Sequence, residues 1–122
     1  MDRYLAWLAK KGREMKSVLL PSESGSLRVD LFNPAQNLLI EAKAKSSREY
    51  IRYAVGQLLD YRRRISPRPS LAVLLPEAPP QDMVELLKEL DIAAIFEAGS
   101  RFMDPTFGRD LDPREAAPSA LP

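Results

Sequence analysis

Glu41 and Lys43 stand two residues apart in the stretch "LLIEAKAK", residues 38–45. Strand side chains alternate between faces, so an acid and a base at this spacing project to the same side. A carboxylate there can hold a hard cation. An ammonium beside it can hold an attacking water or neutralise charge developing on a phosphorus oxygen. A second acid, Asp30, lies on the alternating stretch from Leu27 to Phe32, and the hairpin-type loop Asn33-Pro34-Ala35-Gln36-Asn37 leads from it into the first stretch. That hairpin brings Asp30 opposite Ile40–Glu41, within cross-strand distance. Two carboxylates so close repel unless a cation lies between them. Oxygen-only ligation, completed by water and a phosphate, suits Mg²⁺, with Mn²⁺ as its substitute. The plainer alternative is a pair of salt bridges at the end of a sheet.

Further along, Tyr50, Tyr53, Gln57 and Tyr61 recur at helical spacing over residues 47–65. They form a stripe beside the apolar one of Ile51, Ala54, Val55, Leu58, Leu59 and Ile65. Gln57 and Tyr61 place an amide and a phenol one turn apart, both able to hydrogen-bond a phosphate or an ordered water. Packing at the core boundary accounts for the tyrosines. It accounts less well for Gln57 in their midst.

Other chemistries are closed off. The chain has neither cysteine nor histidine, which removes disulfides, thiolate and imidazole metal sites, and Ser-His or Cys-His catalysis. With 122 residues, 45% hydrophobic and 29% charged, the chain has the size and make-up of one globular domain. No apolar run approaches the ~20 residues of a membrane helix, and the first residues lack a signal peptide's pattern. A cytoplasmic protein with no membrane partner is expected. The net charge of +1 hides an asymmetry: residues 43–68 carry eight bases and two acids, residues 69–122 four bases and ten acids. Lys45, Arg48, Arg52, Arg62 and Arg63 in the basic segment are candidate contacts for a polyanion. A solvated helix face accounts for the same charges.

The elements that must position these groups follow from periodicity and punctuation. Residues 2–15 read as a helix, Ser17 to Leu20 as a short strand, and Leu27–Phe32 with Leu38–Lys43 as a hairpin. A helix spans 47–65, opened by Ser46 or Ser47 with Glu49 as capping partner. Leu71 to Leu75 is an apolar run suited to a strand covered on both faces. A helix at 81–90 with Val84, Leu87 and Leu90 inward precedes a last strand at 92–96. The order α-β-β-β-α-β-α-β predicts an α/β fold with a mixed central sheet flanked by helices. Residues 1–102 form the domain, and the proline-rich, acidic stretch 103–122 reads as a disordered tail or linker.

The pattern Asp30, ten residues, Glu41-Ala42-Lys43, then Gln57-xxx-Tyr61 resembles the PD-(D/E)xK nuclease superfamily. The Gln-xxx-Tyr element is similar to that of its RecB-like branch. "RVDLFNP", "LIEAKA", "AVGQLLDYRR" and "LAVLLPE" resemble nuclease domains of modification-dependent or defence-type restriction proteins. The resemblance spans residues 2–97 and implies a restriction-endonuclease-like core. It implies that Asp30 and Glu41 ligate Mg²⁺ together with the Ala42 carbonyl. Lys43 would orient or deprotonate the water, and Gln57 and Tyr61 would position the site or the DNA backbone. The expected activity is Mg²⁺-dependent hydrolysis of DNA, leaving a 5′-phosphate. Relatives often carry a further acid in the first helix, where this chain offers only Asp2 and Glu14. The alternative is therefore a catalytically inactive nuclease-fold module that binds DNA or a partner protein within a larger restriction or defence complex. No residues here read bases, so sequence specificity would come from a companion domain or subunit. Double-strand cleavage would call for a homodimer.

Overall fold

The computed structural model describes residues 16–22, 25–99, 101–107 and 109–110, with side chains over 31–99 and 101–107. The helix expected over 2–15, with Asp2 and Glu14, lies outside the described residues. Within them the chain forms β1 (Lys16–Ser22), β2 (Gly25–Asn33), β3 (Leu38–Ala42), α1 (Arg48–Arg62), β4 (Ser70–Leu75), α2 (Gln81–Glu89), β5 (Ile92–Ala98), β6 (Arg101–Asp104) and β7 (Arg109–Asp110). The strands make one sheet in sequence order. The β2 and β3 strands pair antiparallel, β3, β4 and β5 run parallel, and β6 and β7 return antiparallel. The fold is α/β with a mixed sheet.

Because β3, β4 and β5 step across the sheet in one direction, crossovers of one hand put both helices on the same face. Alternation along the strands then sorts the core. Leu39, Leu71, Val73 and Leu75 meet Ile51, Ala54 and Leu58 of α1 and Met83 and Leu87 of α2. Leu31, Ile40, Ala72, Leu74, Ile95 and Phe102 pack on the opposite face. The apolar run of β4 is buried from Leu71 to Leu75, as a strand covered on both sides requires.

The hairpin between β2 and β3 is fixed by its own asparagines. The Gln36 N–H donates to Asn33 Oδ1 at 3.2 Å, and Asn33 Nδ2 donates to Gln36 Oε1 at 3.0 Å. Asn37 sits at φ 50°, a left-handed conformation that asparagine tolerates better than most residues. Its amide donates to the carbonyls of Pro67 and Arg68, at 3.1 and 3.3 Å, and its carbonyl accepts from Ser70 N at 2.9 Å. The loop that turns β2 into β3 thereby also fixes the entry to β4.

Three expectations need correction. The domain boundary at 102–103 falls inside β6. Asp104 is 1% exposed, with its carboxylate accepting from the Thr106 hydroxyl and from Thr106 N at 3.1 Å, and Thr106 Oγ1 in turn accepts from Ala94 N at 3.2 Å. The acid is thus satisfied locally and the chain stays in the sheet. Ser47 is the N-cap of α1 but makes no side-chain cap bond. The hydroxyl of Ser46 turns instead to the next loop, as described below. Tyr61 belongs to the apolar core rather than beside it, at 6% exposure.

The orientation of α1 has a direct test. Leu58→Ala empties a fully buried position and should cost about 2–5 kcal/mol in urea denaturation. Tyr53→Ala, at a position 73% exposed, should stay within about 0.5 kcal/mol of the original chain.

Candidate active site

Glu41 is the next residue after Ile40 in β3, and alternation turns it to the helix-covered face, where its side chain is 4% exposed. Lys43 follows two residues later on the same side, just past the strand end. Its Nζ lies 3.3 Å from Glu41 Oε2 and donates to Gln57 Oε1 at 2.5 Å. Gln57 Nε2 donates to the Tyr61 hydroxyl at 3.4 Å. A single hydrogen-bonded chain therefore runs from the β3 carboxylate through the ammonium to the helix. The Gln57 amide is oriented from both ends: its oxygen accepts from Lys43 while its nitrogen donates to a phenol fixed in the core.

The backbone defines what lies opposite. The antiparallel ladder pairs Asn33 with Leu38, Phe32 with Leu39 and Leu31 with Ile40. Asp30 is the next residue along β2, as Glu41 is along β3. The side chain of Asp30 lies outside the described residues. Lys43 N–H donates to Leu74 O of β4 at 3.0 Å. In the same trans peptide the Ala42 carbonyl points the opposite way, away from β4 and toward the β2 side. Among the described residues no group of three or more acidic side chains could hold a metal ion.

The loops at the carboxyl ends of β3 and β4 are fastened to each other. Ser46 Oγ donates to Glu77 O at 2.8 Å and accepts from Glu77 N at 3.1 Å. Arg48, at the start of α1, forms an ion pair with Asp82 at the start of α2. An open depression of about 580 Å³ lies between the loops, lined by Lys45, Ser46, Ser47, Pro76, Glu77 and Pro80 among others. Carboxyl ends of parallel strands are where open α/β sheets bind ligands.

The expected basic contacts divide accordingly. Lys45 and Arg52 are exposed, and Lys45 Nζ stands 5.8 Å from the centre of the Tyr50 ring. Arg48 is engaged by Asp82, and Arg63 by Asp60 at 3.0 Å. Arg62 ends α1, about 20 Å along the axis from Arg48. Tyr61 is too buried to present its ring to a ligand and instead supports Gln57. Ser46 and Asp82 were not candidates from the sequence. Their partners come from a different loop and a different helix, and no local spacing announces them.

Comparison with protein-family models, curated proteins and solved structures returns no match. No helix among the described residues is long and apolar enough to cross a membrane.

The Arg48 guanidinium, by its hydrogen bond, holds the Asp82 carboxyl below the usual carboxylate range, and Arg63 and then Arg64 do the same for Asp60. A carboxyl lowered in the folded state adds stability above its ordinary value, 3.8 here, and loses it as the pH falls through the folded value. Asp82→Asn should therefore be less stable than the original chain at pH 6. The gap should close below pH 3.8, as followed by urea denaturation at low salt.

Proposed function

We propose that the chain is a Mg²⁺-dependent nuclease domain that hydrolyses DNA phosphodiester bonds, with the PD-(D/E)xK resemblance extending to a restriction-endonuclease-like core. The observation that carries this reading is the placement of the Lys43 ammonium. It sits between Glu41 and Gln57, at the carboxyl end of the first parallel strand, next to the register position of Asp30.

The donors fit a hard divalent cation. Glu41 offers carboxylate oxygen, Ala42 a carbonyl directed toward β2, and Asp30 a second acid in the adjacent strand. A chain without cysteine or histidine has no thiolate or imidazole to compete. When bound, Mg²⁺ supplies a Lewis acid that polarises the scissile phosphate and acidifies water. The chain's own groups do the rest. Lys43 holds the nucleophilic water in line and neutralises the charge that grows on the phosphoryl oxygens. Gln57 fixes the rotamer of Lys43, and Tyr61 fixes Gln57. Exposed Lys45 and Arg52 give the polyanion a salt-dependent hold.

A second reading rests on the same ion pair. Glu41 and Lys43 already satisfy one another's charge, which a nuclease-fold module that only binds DNA or a partner protein would also show. Catalysis separates the two. In a plasmid-nicking assay with Mg²⁺, Lys43→Ala should lose at least about a hundredfold in rate, the scale of one lost electrostatic group at a reacting centre. Gln57→Ala should lose less, about tenfold, because it acts through Lys43. Removing the ammonium beside a buried carboxylate also weakens the fold, so rates are compared at a temperature where circular dichroism shows each variant folded. Nicking by Lys43→Ala at the original rate would refute the proposal.

A further inference from the structure

Tyr53 and Gly56 lie one turn apart on the outward side of α1, next to the Lys43 site, and neither is explained by packing among the described residues. Tyr53 is 73% exposed, although its ring centre stands only 6.0 Å from Lys43 Nζ. Gly56 occupies the interior of a 15-residue helix, where glycine is the least favourable residue after proline. Its backbone does not take the left-handed conformation that would require glycine. A Cβ built on it meets nothing within 4 Å. The missing side chain therefore leaves bare helix backbone beside an exposed aromatic ring.

We infer that this surface is a seat for single-stranded DNA, with an unpaired base stacked on Tyr53 and the sugar–phosphate backbone passing over Gly56. The inference rests on the nuclease reading and names the form of substrate that the site accepts. The chemistry of the surroundings selects the occupant. Stacking on an aromatic ring, combined with nearby cations, is how single strands are held irrespective of sequence. Lys43 is adjacent, and Arg52 is exposed one residue before the tyrosine, against one exposed acid, Glu49, a turn before it. Asp60, one turn beyond Gly56, is already paired with Arg63 and Arg64, so it opposes an incoming phosphate less. A duplex hides the faces of its bases and cannot use the ring. A base seated on Tyr53 leaves its flanking phosphate beside Lys43, so the same contact that grips the strand also aligns the bond to be cut.

The test is fluorescence anisotropy with a labelled oligothymidylate of twelve nucleotides and a duplex of equal length, in EDTA so that no cleavage intervenes. The full 122-residue chain is compared with Tyr53→Ala, Tyr53→Phe and Gly56→Ala. The single strand should bind more tightly than the duplex. Tyr53→Ala should weaken single-strand binding by about five- to hundredfold and leave duplex binding unchanged, while Tyr53→Phe, which keeps the ring, binds like the original. Gly56→Ala should raise the melting temperature yet weaken single-strand binding. Such opposed effects would not arise from a merely structural glycine. Equal binding by Tyr53→Ala and the original chain overturns the inference. So does a preference for duplex, and so does a change of oligomeric state on Tyr53→Ala, which would assign the ring to a second copy of the chain. Loss or survival of nicking in Lys43→Ala is read separately, so failure of the seat and failure of the nuclease reading remain distinct.

Discussion

A lysine ammonium wedged between a strand carboxylate and a helix amide is the contact on which the site is built. Glu41 lies on the helix-covered face at 4% side-chain exposure, where an ionised carboxylate is tolerated only with a countercharge or strong donors. Lys43, two residues later, supplies one, because the strand's alternation puts it on the same side. Its stem is long enough to reach Gln57 in the third turn of α1. One cation thus fastens β3 to α1 and concentrates charge at the carboxyl end of the sheet. If the geometry served only as a bridge between elements, an apolar pair would do it at no desolvation cost.

The surrounding architecture keeps that end of the sheet in place. Asn33 and Asn37 hold the β2–β3 hairpin and tie it to the start of β4, which sets the register that carries Asp30 alongside Glu41. At the opposite end of the parallel strands, Ser46 binds both the N–H and the carbonyl of Glu77, and Arg48 reaches Asp82. The two loops are thereby tied to each other. A site on such a base is held by rigid elements rather than by free loops, which is what positioning within fractions of an ångström demands.

Much of the fold could be read from local pattern. The unbroken apolar run of β4, the 3.6-residue period of α1 and the two-residue alternation through Leu27, Val29 and Leu31 each dictate one element type. The hairpin loop Asn33-Pro34-Ala35-Gln36-Asn37 is equally explicit. The strand after Ala98 was not legible. Pro105 and a run of acids read as tail, whereas Asp104 is buried with its carboxylate accepting from Thr106. That Glu41, Lys43 and Gln57 come together was legible from spacing. The role of Tyr61 was not drawn, although seven residues after Ala54 and three after Leu58 it falls on the buried face of α1 and its ring turns inward. Arg48 looked like a free cation because its partner lies 34 residues away, in a second helix that folds back beside it.

Isothermal titration of the chain with Mg²⁺, repeated with Mn²⁺, measures divalent-ion binding directly. Saturable binding in the millimolar range or tighter is expected, and it should be lost in both Asp30→Asn and Glu41→Gln, each variant remaining folded. No saturable heat at millimolar metal, or binding that survives both substitutions, would contradict it.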